Sequence, residues 1–254
     1  LTVSKKIFPK KINLNQNQLD IEWSEGNHKS RFNLRWLRDH CYTEINKKKY
    51  KSPYVFWDSN LKKNFKNIKL NHDKVISDDN YLKKWLKLLH SYGFAIIKNA
   101  PTRKKSGFKI LNRISHHRET FFGTPFEVIN IPKPNNTAYT AQALRNHTDL
   151  PYFEYAPGYQ FLHCLVNNAT GGKSSVVDGF KVANYLRNKE KEAYKLLTET
   201  YVKFKDTDYT QKAIRVLHSP IITLTKDNDF NDIRFSMAAM GAIDVKPKNM
   251  KKFY

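Results

Sequence analysis

The chain lacks most of what an extracellular, disulfide-held or membrane-embedded protein needs. It has only two cysteines in 254 residues, Cys41 and Cys164. That gives no disulfide framework and fits a reducing compartment, so a cytoplasmic location is expected. No apolar run approaches the roughly 20 residues needed to cross a bilayer. The opening LTVSKKIFPKKIN has no apolar signal-peptide region, so no membrane association is expected. The nine glycines form neither G-x-G-x-x-G nor G-x-S-x-G, which leaves dinucleotide and serine-hydrolase readings without support. Gly171-Gly172 lacks the lysine and helix of a phosphate loop and reads as a turn. Methionine is also scarce. The chain starts at Leu1, its first Met is Met237, and it finishes on KPKNMKKFY, a combination that suggests an incomplete chain.

Acidic residues are few as well. Against 45 Lys+Arg stand 23 Asp+Glu, a net charge of +22. A charge this large invites a nucleic-acid reading. The excess is somewhat denser near the N-terminus but forms neither a tail nor a recognition helix, and Lys and Asn are abundant throughout. We therefore read it as solvated surface lysine, with a polyanion-facing patch as the alternative. Nucleic acid is not an expected partner.

Hydrophobic residues make up 40% of the chain and aromatics 13%, a globular composition with enough length for a large core. Up to about residue 72 the pattern is of short strands: Leu19–Trp23, Arg31–Trp36 and Tyr54–Trp57, with a hairpin turn at Gly26-Asn27. Ser77-Asp78-Asp79 offers an N-cap for a helix whose apolar stripe is Leu82, Trp85, Leu86 and Leu89, stopped by Gly93. A buried strand follows at Phe94–Ile97. A second helix is expected over 106–120 and a third over 180–198. Strands are expected at 138–140, 146–150, 160–166 and 174–177, and again through the segment after Tyr201. Helices followed by many short strands point to an α+β fold around a β-sandwich or jelly roll.

The segment with most chemical content is 146–164, NHTDLPYFEYAPGYQFLHC, headed by His147-Thr148-Asp149. On a strand, the period of two would place the imidazole and the carboxylate on one face. With a further histidine they could form the 2-His-1-carboxylate site that holds Fe(II) and leaves positions open. The tripeptide alone is weak, since chance would produce one in about half of such chains. Aromatic residues surround it: Phe126, Tyr139, Tyr152, Phe153, Tyr155 and Tyr159. They read equally as β-core packing or as a cage for a quaternary ammonium group. His116-His117 reads as solvated and His163 as a packed core histidine. Cys41 has no partners for a zinc site.

Taken together, the ordered motifs carry a resemblance. The run 147–164, followed by TGG (170–172) and VDGF (177–180), resembles the gamma-butyrobetaine dioxygenase branch of the TauD-like Fe(II)/2-oxoglutarate-dependent dioxygenases. Trp36-Leu37-Arg38-Asp39-His40-Cys41 is similar to the signature of that family's N-terminal domain, and Asn135–Thr140 to the segment leading into its metal strand. The resemblance implies a double-stranded β-helix (jelly-roll) catalytic core over 73–254, behind a small β-rich N-terminal domain over 1–72. It implies His147 and Asp149 as iron ligands, and Fe(II) with 2-oxoglutarate as cofactor and cosubstrate. The implied reaction consumes dioxygen and hydroxylates a small trimethylammonium carboxylic acid such as gamma-butyrobetaine, as in carnitine biosynthesis. By similarity, Tyr139 would form one wall of the ammonium cage and Asn136 would contact the substrate carboxylate. A homodimer is expected by analogy.

Three departures qualify these expectations. Phe126 and Leu150 stand where the branch carries a Trp and a Tyr of the cage, so another small acid is the alternative substrate. After Cys41 come Tyr42, Thr43, Glu44, Ile45 and Asn46, and no zinc is expected. The family's distal iron-binding His and its 2-oxoglutarate-binding Arg would fall beyond Tyr254, which implies C-terminal truncation. Neither His163 nor His218 is offered as the third ligand. A catalytically incomplete basic binding module or fragment is the remaining alternative.

Overall fold

The structure is a computed structural model and describes residues 4–43, 54–134 and 137–253. The chain divides into two compact units, 1–53 and 54–254. No helix among the described residues is long and apolar enough to cross a membrane.

In the first unit, β1 (Pro9–Leu14), β2 (Gln18–Trp23) and β3 (Lys29–Asn33) form an antiparallel sheet in that order. Gly26 (φ 62) and Asn27 (φ 53) both adopt the left-handed backbone that a tight β2–β3 turn requires. Asp20 faces Arg31 across the pair, and their side chains meet at 2.8 Å. The strand expected to run through Trp36 ends at Asn33 instead. The Asn33 side chain accepts a hydrogen bond from the Trp36 amide at 3.1 Å, which caps a short helix, Leu34–Asp39. An N-cap of this kind satisfies a donor that a continuing strand would leave unpaired.

The second unit opens with a 3-10 helix, Ser59–Ile68, and continues into β4 (Lys69–Asn71), helix His72–Ser77 and helix Asp79–Tyr92. The last of these follows the sequence closely, except that Leu86, expected in its apolar stripe, is exposed. Asp78 caps it through the Asn80 amide, and Gly93 ends it in the left-handed conformation at φ 75. Its stripe buries Trp85 and Leu89 against Leu70, Val75 and Ile110. β5 (Ile96–Lys98) pairs in parallel with β4.

A second cluster is built from the helices Gly179–Lys189 and Lys191–Glu199 with β6 (Val202–Asp208), β7 (Ala213–Ser219), β8 (Ile222–Leu224), β9 (Phe230–Ile233) and helix Pro247–Phe253. Val202 and Phe204 alternate inward from β6 and are fully buried with Ala183, Ile221 and Ile222. The single helix expected over 180–198 is interrupted at Glu190 (φ −123, ψ 61), inside a charged run with no apolar residue to press that turn onto the core.

Between the two clusters the expectations fail more widely. The helix expected over 106–120 is one turn, Phe108–Leu111, without a side-chain cap. The residues that follow it, Asn112 through His117, are mostly weak helix formers. The strands expected at 138–140, 146–150, 160–166 and 174–177 are absent, and a 3-10 turn occupies Thr137–Tyr139. The strand expected at Tyr54–Trp57 joins no sheet, and its Val55 amide donates instead to the Ser91 carbonyl at 2.8 Å. The α+β mixture is present, but the sheets are four separate small ones, and no barrel closes among the described residues.

Side-chain hydrogen bonds to backbone replace ladders here. Asp178, 4% exposed, accepts from the Tyr54 hydroxyl at 2.6 Å, the Trp57 amide at 2.9 Å and the Lys181 amide at 2.9 Å. One carboxylate thus caps helix Gly179–Lys189 and fixes the 54–57 segment to its start. Trp85→Ala should lower unfolding free energy by about 3–5 kcal/mol in urea titrations, because it removes a fully buried side chain from the cluster and leaves a cavity.

Candidate metal-binding site

His147 and Asp149 lie in an extended segment that belongs to no sheet. The strand-like geometry that the sequence pattern required is nevertheless supplied locally. Thr148 donates its amide to the Phe235 carbonyl at 2.7 Å, and the Phe235 amide donates to Thr148 Oγ1 at 2.9 Å. This two-way pairing fixes Thr148 against the 230s segment, with His147 and Asp149 on either side of it. The result is His147 Nε2 at 3.1 Å from Asp149 Oδ1, with both side chains about one-third exposed.

The chemistry of that contact is decided by the far side of the imidazole. His147 Nδ1 lies 2.7 Å from the Arg145 carbonyl, which can only accept, so Nδ1 carries the proton. With Nδ1 carrying a proton, Nε2 can face the carboxylate oxygen either as an N–H donor or, with its lone pair free, as a second ligand to a cation shared with Asp149. Two cis ligands about 2.1 Å from one ion would lie about 3.0 Å apart, close to the separation observed. The second carboxylate oxygen, Asp149 Oδ2, accepts from the Gln160 side-chain amide, which orients the carboxylate. Donor types, spacing and the fixed tautomer all fit a divalent metal. Among the described residues no third His, Cys, Asp or Glu joins them.

The pair opens on a pocket of about 330 Å³ whose walls include Pro157, Tyr159, Gln160, Asp232 and Arg234. Tyr159 is half-buried and donates its hydroxyl to the Leu89 carbonyl at 3.2 Å. Burial pushes its phenol pKa up. The same cause acts on Tyr152, where Asp206 adds to it, and on Tyr54, where the hydrogen bond to Asp178 adds to it.

The other sequence candidates lie apart from this pocket. Phe126 is 41% exposed and packs on Phe122 at 5.1 Å. Tyr139 ends the 3-10 turn, and its carbonyl accepts from the Ile131 amide at 3.1 Å. Leu150 follows Asp149 with a left-handed backbone, φ 52. None of the three lines the pocket, and Asn136 lies outside the described residues. His163 packs beside Gly107, and its Nε2 is buried without a partner among the described residues. His218 sits on β7 opposite Lys203. Sequence reasoning missed Gln160, Thr148 and Arg234. No spacing marks Gln160 as a partner of Asp149, and Arg234 stands 85 positions from it; only folding joins them.

Comparison with known proteins places these residues in a family. The family described as "Taurine catabolism dioxygenase TauD, TfdA family" matches residues 57–237. The gamma-butyrobetaine dioxygenase of Pseudomonas sp. (strain AK-1) is 34% identical over 240 residues, covering 93% of this chain and 61% of that protein. The mitochondrial trimethyllysine dioxygenase of Mus musculus is 34% identical over 197 residues, 78% of this chain and 46% of its own length. The Homo sapiens gamma-butyrobetaine dioxygenase is 31% identical over 242 residues, 92% of this chain and 61% of its own. The chain therefore spans about three-fifths or less of the relatives it matches.

Two outcomes are expected. Gln160→Ala should weaken Co(II) or Mn(II) binding by about 10–100-fold, read from titration of the metal's spectrum, because the carboxylate loses its orienting donor. Folded-state phenol pKa values that are raised favour the neutral tyrosine, so their stabilisation is complete below about pH 10 and is lost as pH rises beyond it. Absorbance titration should accordingly show a late-titrating fraction of the 14 tyrosines that joins the rest in urea.

Proposed function

Since the chain belongs to the TauD/TfdA dioxygenase family, we propose that it forms the His-x-Asp part of an Fe(II)/2-oxoglutarate-dependent dioxygenase that hydroxylates a small trimethylammonium carboxylic acid such as gamma-butyrobetaine. The observation that carries the metal assignment is His147 Nε2 at 3.1 Å from Asp149 Oδ1, with the proton held on Nδ1. The family implies a jelly-roll core for the dioxygenase domain, which we assign to 73–254, with 1–72 as a small β-rich domain before it.

When bound, Fe(II) would supply the redox chemistry that couples 2-oxoglutarate decarboxylation to insertion of oxygen into a substrate C–H bond. The chain's own residues do the rest. Arg145 keeps the imidazole proton away from the metal side, and Gln160 turns one carboxylate oxygen toward it. Tyr159 gives the pocket a wall that is apolar across the ring and hydrogen-bonded at its tip. The third protein ligand and the group binding 2-oxoglutarate are not assigned to any described residue.

The names of the relatives support a trimethylammonium substrate. Tyr139 and Phe126 remain our candidates for the cage and Asn136 for the carboxylate contact. Leu150, in place of an aromatic residue, favours a second reading in which the acid is a different one: an aliphatic side chain has no ring quadrupole to offer a cation. In the complete protein containing this chain, succinate release should require Fe(II), 2-oxoglutarate and gamma-butyrobetaine or trimethyllysine. His147→Ala should reduce it by at least about 100-fold. Turnover with another acid and neither of these two would remove the substrate assignment while keeping the family chemistry.

A further inference from the structure

We propose that Arg234 is a positioning residue for the His147–Asp149 pair, holding the turn that immediately follows Asp149 through its guanidinium. The metal consequence rests on the reading above; the restraint itself does not.

Arg234 is 8% exposed, and every nitrogen of its fork is engaged. Nη1 donates to the Pro151 carbonyl at 3.0 Å and to the Phe153 carbonyl, and Nη2 donates to the Glu154 carbonyl at 2.8 Å. Nε lies 3.1 Å from Asp232 Oδ2. Burying a cation is costly unless it is paired and hydrogen-bonded, so a guanidinium spent on three carbonyls of one turn has a specific role there. The turn needs one. It begins at Leu150, a non-glycine residue in the left-handed region, and such a backbone persists only where its surroundings hold it. Among the described residues its own backbone restraint is one bond, from the Phe153 amide to the Leu150 carbonyl at 3.0 Å.

The anchor is itself fixed. The Arg234 amide donates to the Ile221 carbonyl at 2.9 Å, beside the buried core of β8, and the next residue, Phe235, makes the two-way pairing with Thr148. Residues 148–154 are thus held at both ends by 234–235, and His147 and Asp149 flank the first of these ties. Arg234, Asp232 and Ile233 also line the same pocket as the pair. An apolar residue at 234 would strand three inward carbonyls, and a lysine, with one nitrogen on a flexible stem, could not serve the span from Pro151 to Glu154.

The test uses the 254-residue chain, with Arg234→Lys, Arg234→Gln and Thr148→Val. In Arg234→Lys, amide hydrogen exchange at Thr148 and Phe153 should accelerate by at least about tenfold while amides of Val202–Asp208 change by less than about twofold. Co(II) affinity should fall by at least about tenfold in the same variant. Thr148→Val should reproduce the loss of affinity with Arg234 in place. Unchanged exchange at 148 and 153, or equal acceleration everywhere, overturns the proposal. If the Arg234 variants do not fold, side-chain NMR of the unaltered chain decides: separate, slowly rotating Arg234 Nη resonances support the restraint, and averaged ones overturn it. Co(II) binding that His147→Ala leaves unchanged would instead sink the metal reading, and the exchange result would still judge the restraint.

Discussion

The candidate site depends on one buried cation. Residues 150–154 have no sheet or helix to satisfy their carbonyls, and Arg234 provides the donors that a neighbouring strand would otherwise supply. A hydroxyl could donate to one carbonyl and a side-chain amide to at most two. The planar fork pairs with several at fixed angles, which makes the turn rigid as well as satisfied. The left-handed backbone at Leu150 turns the chain immediately after Asp149, so the direction of the carboxylate and the hydrogen bonds of the turn are one problem.

Asp178 solves the same problem with the opposite charge. Its carboxylate collects the Tyr54 hydroxyl and the amides of Trp57 and Lys181, joining an extended segment without strand partners to the start of a helix. Among the described residues of the stretch 112–178 there is almost no regular structure, and long connections of that kind must find backbone partners elsewhere. In this protein buried ionic side chains are prominent among those partners. The VDGF motif at 177–180, noticed in the sequence as a family feature, acquires a physical role here: its aspartate is both an N-cap and a cross-link.

Legibility in the sequence followed the range of the forces involved. Helix Asp79–Tyr92 was readable at both ends because its cap, apolar stripe and terminal glycine act within a few residues. The β2–β3 turn was readable for the same reason. Asn33 hid a strand-to-helix change, since its capping bond competes locally with an alternating pattern that looks like strand. The strands expected around the site do not form because the backbone of 146–154 finds its partners in Phe235 and the Arg234 side chain and not in a ladder. For the site itself, His147 and Asp149 were found from their spacing, while Gln160 and Arg234 carry no local signal.

The sequence by itself determined the two donor types, their one-residue separation and the ordered motifs that identify the TauD/TfdA family, because these are properties of residues close together in the chain. Tertiary structure decided whether those donors face one another. That required Phe235 to pair with Thr148, Arg145 to choose the imidazole tautomer, Gln160 to turn the carboxylate and Arg234 to hold the turn behind it. Hydrogen bonds between residues some 80 positions apart leave no periodicity to read, since their partners meet only after the intervening chain has folded.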